Sequence, residues 1–212
     1  MPKYAHHTFK DGGIAIWRIE ETADELYSLL HTQRYDVALS AMHNEARRAE
    51  WLAARVLLSH VLGGDKEIGY KESGAPYLTD NSYYISISHT KGYAVLAYHR
   101  NCPIGVDVEY ISERVMRIAH RFTRLEEYEY IDEATESDRL MYCILNWSAK
   151  ESLYKYVDDA RAADFLNSFC LSPYIIQPSQ GEMIGNIYLD SIRQVRLSYY
   201  IFPDIVCTCC FG

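Results

Sequence analysis

The chain has 212 residues, of which 49% are hydrophobic and 24% charged. That balance excludes disorder and leaves room for one large domain or two small, closely packed ones. A net charge of −8 argues against general nucleic-acid binding, which draws on a basic surplus, yet a small anion needs only local positive charge. No run reaches the roughly 18 apolar residues of a membrane span, and residues 1–7 lack the apolar segment of a secretory signal. The expectation is a cytoplasmic protein without membrane attachment, its six cysteines reduced. Cys207-Thr208-Cys209-Cys210 has no second cluster to complete a tetrahedral metal set, so it reads as part of a terminal strand.

Alternation of apolar residues predicts a first strand over 13–19. Thr22 and Glu25 have capping-box spacing, which starts a helix at 23 that runs to 30. A longer helix is expected over 43–62, with Leu52, Val56, Leu57 and Val61 as its apolar stripe and Gly63-Gly64 ending it. Ser73-Gly74 is a turn, and strands follow over 84–88, 92–99 and 104–110, with Asn101-Cys102-Pro103 turning between the last two. Helices are expected over 113–121, 124–134 and 138–157, the middle one started by a Thr123–Glu126 capping box. Four strands close the chain, over 165–171, 183–189, 195–202 and 205–210. Helix-then-strands thus occurs twice. The order implies an α+β fold with two similar halves, 1–103 and 104–212, whose interface is a favoured place for a ligand.

The chemistry concentrates in two motifs. In Gly105-Val106-Asp107-Val108-Glu109, residues i and i+2 of a strand share a face, so the two carboxylates project together. Paired carboxylates raise each other's pKa unless a cation intervenes, and oxygen ligands suit a hard ion such as Mg²⁺. By itself the pair reads equally well as an acidic edge strand. In Trp147-Ser148-Ala149-Lys150-Glu151-Ser152-Leu153-Tyr154-Lys155, Glu151 and Lys155 lie one helical turn apart. By itself that is a common surface ion pair.

These two motifs, in this order and with Ile85-Ser86-Ile87-Ser88-His89-Thr90 upstream, resemble the 4′-phosphopantetheinyl transferases, and the length fits the larger monomeric type that activates surfactin synthetase. The resemblance implies a pseudo-dimer of two α+β halves, each a small antiparallel sheet packed with a long helix. It implies transfer of the phosphopantetheine arm of coenzyme A to a serine of an acyl or peptidyl carrier protein, with release of adenosine 3′,5′-bisphosphate. It further implies Mg²⁺ (Mn²⁺ as the alternative) held by Asp107, Glu109 and Glu151. Lys155 and Lys150 would neutralise the pyrophosphate, Ser88 and His89 would sit at the nucleotide, with His89 on the ribose 3′-phosphate, and Glu127 would be the base for the carrier serine, with Glu126 next to it. Among Arg47, Arg48 and Arg55 on the first long helix, Arg48 is the preferred partner of the 3′-phosphate, with Arg55 second to it.

One departure stands out. Many relatives carry Gly-Lys-Pro where this chain reads Gly74-Ala75-Pro76, which leaves Lys71 and Lys91 as candidates to replace the lysine. Arg114, Arg117, Arg121 and Arg124, spaced by three, four and three, would line one helix face on which an acidic carrier could dock. Two rival readings are a metal-dependent phosphohydrolase acting on nucleotides or coenzyme A, and a non-catalytic module that binds coenzyme A or a carrier.

Overall fold

A computed structural model describes residues 3–30, 32–64 and 66–212. It is an α+β protein built on two antiparallel sheets. Strands β1 (Lys3–Phe9) and β2 (Gly12–Arg18) form a hairpin that turns through Asp11, a non-glycine residue at φ 62°. Helix α1 (Ala23–Ser28) carries the expected capping box: Thr22 accepts from the Glu25 N–H at 3.2 Å, and Glu25 accepts from the Thr22 N–H at 2.8 Å. A short α2 (Asp36–Ser40) leads to α3 (Glu45–Leu62), capped by Asn44 at its start and by Gly63 at φ 70° at its end. The small hairpin β3 (Ile68–Tyr70) and β4 (Pro76–Leu78) follows, then β5 (Tyr84–Thr90), β6 (Tyr93–His99) and β7 (Ile104–Tyr110).

The remaining elements are a 3₁₀ stretch Glu113–Arg121, α4 (Leu125–Asp132), α5 (Glu136–Val157), a 3₁₀ turn Ala160–Ala163, α6 (Phe165–Ser168), β8 (Phe169–Leu171), β9 (Gln180–Tyr188), β10 (Ile192–Ile201) and β11 (Ile205–Phe211). The first sheet has the order β1-β2-β6-β5 and the second β7-β11-β10-β9-β8.

Period-two alternation explains how these parts stack. On one face of the first sheet Ala15, Trp17, Ala94 and Leu96 pack with Leu52, Val56 and Leu57 of α3. On the other, Ile14, Ile16, Val95 and Ala97 meet Ile104, Val106 and Val108 of β7 and Ile205, Cys207 and Cys209 of β11. The far face of the second sheet packs Val206, Leu197 and Met183 against Ile144, Leu145, Ala149 and Leu153 of α5. Both sheets are therefore covered on both faces, with β7 in the middle of the molecule. All six cysteines are free, and the three near the C-terminus are buried in β11.

Several expectations need correction. β1 supplies an outer strand ahead of the one read as first, and its polar residues (Lys3, His6, His7, Thr8) hid it. Residues 165–168 form a helical turn, nucleated by Asp164 accepting from the Asn167 N–H, so only the end of the strand expected over 165–171 is extended. The Thr123–Glu126 box is shifted by one residue: Glu127 accepts from the Arg124 N–H at 2.7 Å, and the Thr123 hydroxyl has no partner among the described residues.

Gly105 is a fixed requirement of this packing. A Cβ there would collide with the Ser152 carbonyl oxygen of α5 and stand 2.7 Å from the Tyr156 nitrogen. Gly105→Ala should therefore cost about 2 kcal/mol by overpacking and lower the melting midpoint by about 4–8 °C. A midpoint equal to wild type in a thermal melt would show that α5 does not rest on β7 as tightly as described.

Candidate active site

Because Val106 and Val108 point into the central core, Asp107 and Glu109 point toward α5. Asp107 is 4% exposed, and its Oδ1 accepts from Lys155 Nζ at 2.7 Å and from Ser88 Oγ at 2.9 Å. Lys155 also donates to Ser88 Oγ at 3.1 Å, so one ammonium group ties β5, β7 and α5 together. The other oxygen of Asp107 is buried and has no hydrogen-bond partner among the described residues. Glu109 accepts from the indole N–H of Trp147 at 2.7 Å, a positioning role that the sequence did not reveal.

Glu151 stands one turn before Lys155. Burial pushes its carboxyl up to about 7, with the Asp107 charge adding to the effect. Burial and then Asp107 raise Glu109 to about 7 in the same way, against the hydrogen bond from Trp147. Among the described residues no three His, Cys, Asp or Glu side chains converge in metal-ligating geometry. Lys155 holds Asp107 and Trp147 holds Glu109, and the Asp107 charge acts on both Glu109 and Glu151, so the three carboxylates stand near one another. Their donor chemistry still fits a hard divalent cation: three carboxylates against one ammonium, with a buried carboxylate oxygen left over.

On the other side of Ser88, His89 sits beside a cavity of about 190 Å³ whose lining includes Arg47, Glu50, Arg55 and Tyr70. Arg47 Nη1 contacts His89 Nε2, and Glu50 lies 3.9 Å from Arg47 and 3.8 Å from His89. Arg47 is therefore the arginine at His89. Arg48 is on the next face of α3, paired with Glu45 at 3.4 Å and Asp24 at 3.7 Å. Arg55 is 4% exposed; it donates to the Trp51 carbonyl and to the Tyr70 hydroxyl and forms part of the cavity wall. Of the two lysines considered for the place of Ala75, Lys71 is bound to Asp158 at 2.7 Å and Lys91 lies over the Tyr110 ring, so neither lines this cavity.

Glu127 and Lys150 are not on this face. Both are fully buried and form an ion pair at 2.7 Å. Glu127 also accepts from the N–H groups of Arg124 and Leu171, and Lys150 donates to the Phe122 carbonyl. The resemblance gives them roles as base and as pyrophosphate ligand; in the structure the buried pair anchors α4 and β8 to α5. The arginine stripe also changes. In a 3₁₀ stretch residues three apart eclipse, so Arg114, Arg117 and His120 align and Arg121 turns toward a cavity it shares with Trp147, Glu151 and Tyr154. Arg124 leaves the stripe to stack on Tyr188 and reach Glu126.

A model of the 4′-phosphopantetheinyl transferase superfamily matches residues 103–210, which contain β7, both acidic motifs and the second sheet. The chain belongs to that superfamily. It is 25% identical over 179 residues to the 4′-phosphopantetheinyl transferase HetI of Nostoc sp. strain PCC 7120, covering 76% of each chain. It is 28% identical to the 4′-phosphopantetheinyl transferase gsp of Aneurinibacillus migulanus, over 66% of this chain and 55% of that one. The 4′-phosphopantetheinyl transferase AcpT of Escherichia coli K12 is 30% identical over 51% of this chain and 57% of its own. Among the described residues no helix is long and apolar enough to cross a membrane.

The raised pKa of Glu109 and Glu151 has a pH signature. A carboxyl raised from 4.5 to about 7 on folding holds its proton better in the folded chain than in the unfolded one. Its contribution is complete below pH 4.5 and is lost as pH rises through about 7. Metal-free protein should therefore melt at a falling temperature across that window, Glu151→Gln should flatten the fall, and added Mg²⁺ should raise the midpoint more above pH 7 than at pH 5. A Mg²⁺ effect equal at both ends of the range would show that the cation does not bind at these carboxylates.

Proposed function

We propose that this protein transfers the 4′-phosphopantetheine arm of coenzyme A to a serine of an acyl or peptidyl carrier protein and releases adenosine 3′,5′-bisphosphate. The reading is carried by the juxtaposition of two cationic positions on either side of Ser88: Lys155 at 3.1 Å from its hydroxyl, and the Arg47–His89 pair at the next residue. One ligand with a pyrophosphate and a separate ribose phosphate matches both. Lys155 would meet the pyrophosphate and take up charge as the phosphoanhydride bond breaks. Arg47 and His89 would hold the 3′-phosphate, with Arg55 in the wall behind them.

Asp107, Glu109 and Glu151 would hold Mg²⁺ or Mn²⁺, which supplies Lewis-acid polarisation and a template for the phosphates. The serine oxygen forms the new bond to phosphorus while the bond to the nucleotide phosphate breaks, and the serine proton needs an acceptor. Glu127, fully buried in its pair with Lys150, is poorly placed to accept it, whereas the carboxylate site opens at Glu151 into a cavity of about 460 Å³ through which the serine and solvent can reach it. That cavity also contains Arg121, and the exposed Arg114 and Arg117 lie along the same 3₁₀ stretch. An acidic carrier docking there would bring its serine toward Glu151. In this reading residues 1–103 and 104–212 act as two halves of a monomer, with coenzyme A between them.

The test is mass spectrometry of a carrier protein incubated with the enzyme, coenzyme A and Mg²⁺. The carrier should gain the mass of the phosphopantetheine arm. Glu151→Gln should abolish the gain while keeping a folded protein, and Arg117→Glu with Arg121→Glu should raise the KM for the carrier alone. Turnover of coenzyme A without any carrier would point to a phosphohydrolase instead, and binding without turnover to a non-catalytic module.

A further inference from the structure

The turn between β3 and β4 is built from little. Its strands are three residues each, and an isolated two-stranded hairpin of this size is marginally stable. It closes on itself through Lys71 N–H to Ala75 carbonyl at 3.0 Å and Gly74 N–H to Lys71 carbonyl at 2.9 Å, with Gly74 at φ 85°. Yet this turn divides the proposed cleft. Gly74 and Pro76 line the 190 Å³ cavity with Arg47 and His89, while Ser73, Gly74 and Ala75 line an adjoining cavity of about 280 Å³ with Lys155.

The turn is fixed from the C-terminal end of α5 by one carboxylate. Asp158 caps α5 in the left-handed conformation at φ 50° and ψ 45°, which turns the chain off the helix axis. One of its oxygens accepts from Lys71 Nζ at 2.7 Å and the other from Ser73 Oγ at 2.7 Å. Burial pushes the Asp158 carboxyl up, but these two hydrogen bonds outweigh it and hold it below its usual range. Asp158 follows Lys155 by three residues, so the group that grips the turn and the ammonium at Asp107 ride on the same end of α5.

We infer that Asp158 is a positioning residue: by clasping the 71–75 turn to the end of α5, it holds in place the wall shared by the cavity at Arg47–His89 and the cavity at Lys155, and so the path along which one ligand can reach both. This rests on the reading of those two positions as anion subsites. Geometry at such a clasp matters because two subsites held at the right distance act on one ligand jointly, and the gain disappears when one of them drifts. The clasp contributes nothing to a ligand that engages one subsite only.

That asymmetry supplies the test. Dissociation constants of coenzyme A and of dephospho-coenzyme A, which lacks the 3′-phosphate, are measured by calorimetry in Mg²⁺ for wild type, Lys71→Met and Asp158→Asn. Calorimetry needs no turnover. Lys71 is 54% exposed, so its replacement leaves folding intact, and asparagine tolerates the left-handed conformation at 158. Wild type should prefer coenzyme A, and each variant should lose about tenfold of that preference, the worth of one charge-assisted hydrogen bond, with affinity for the dephospho form little changed. Wild-type preference retained in full by both variants would overturn the clasp alone. Equal binding of both ligands by wild type would overturn the two-subsite reading and the clasp with it. A uniform loss for both ligands would make Asp158 a merely structural residue and overturn the inference.

Discussion

Asp107, Glu109 and Glu151 gather where β7 meets α5, with the Lys155 ammonium on Asp107, and the surplus negative charge governs what surrounds them. Like charges at short range in a partly desolvated site repel by several kcal/mol at an effective dielectric near 20. The chain answers in three ways. It places Lys155 and Ser88 on Asp107, it brings the Trp147 indole to Glu109, and it lets burial raise Glu109 and Glu151 to about 7 so that they exchange protons near neutrality. Each answer also fixes an element: Lys155 joins β5 to β7 through α5, and Trp147 orients the acidic strand against the same helix.

The two sheets make that grouping possible. β7 is covered on one side by the core it shares with the first sheet and on the other by α5, which approaches closely only because residue 105 is glycine. The first sheet contributes β5, whose Ser86 accepts from the Val106 N–H at 3.1 Å and whose Ser88 and His89 reach the carboxylates on one side and Arg47 on the other. In a chain of net charge −8, Lys155 and Arg47 thus place positive charge on either side of Ser88. The Glu127–Lys150 pair does related work below the surface. Buried in full, it is costly to desolvate and strongly destabilising to break singly, and it holds the segment carrying the exposed arginines against α5.

Much of this was legible in local sequence. The alternation in 105–109 placed two carboxylates on one face, Thr22 and Glu25 capped α1 as their spacing indicated, and the order of helices and strands implied an α+β fold. What was not legible depends on contacts distant in sequence. Helical periodicity separated Arg47 from Arg48 by about 100°, but it did not say which face of α3 looks toward β5, 42 residues away. Glu127 and Lys150 look like surface charges in any window, and only the packing of β8 against α4 and α5 buries them. Asp158 lay just beyond the last motif, where its conformation and its partners at 71 and 73 left no mark on the sequence. The 3₁₀ geometry of Glu113–Arg121 likewise altered a stripe that helical spacing had drawn through Arg124.

In the proposed reading two anion subsites flank Ser88 beside the carboxylates of β7 and α5. A crystal structure with coenzyme A and Mg²⁺ tests it most directly. The account predicts the ribose 3′-phosphate within hydrogen-bond distance of Arg47 and His89, the pyrophosphate at Lys155, and the cation among Asp107, Glu109 and Glu151. A nucleotide bound instead in the cavity of about 740 Å³ lined by Tyr77, Tyr84 and Arg100, with Lys155 still on Asp107 and no cation at the carboxylates, would contradict it.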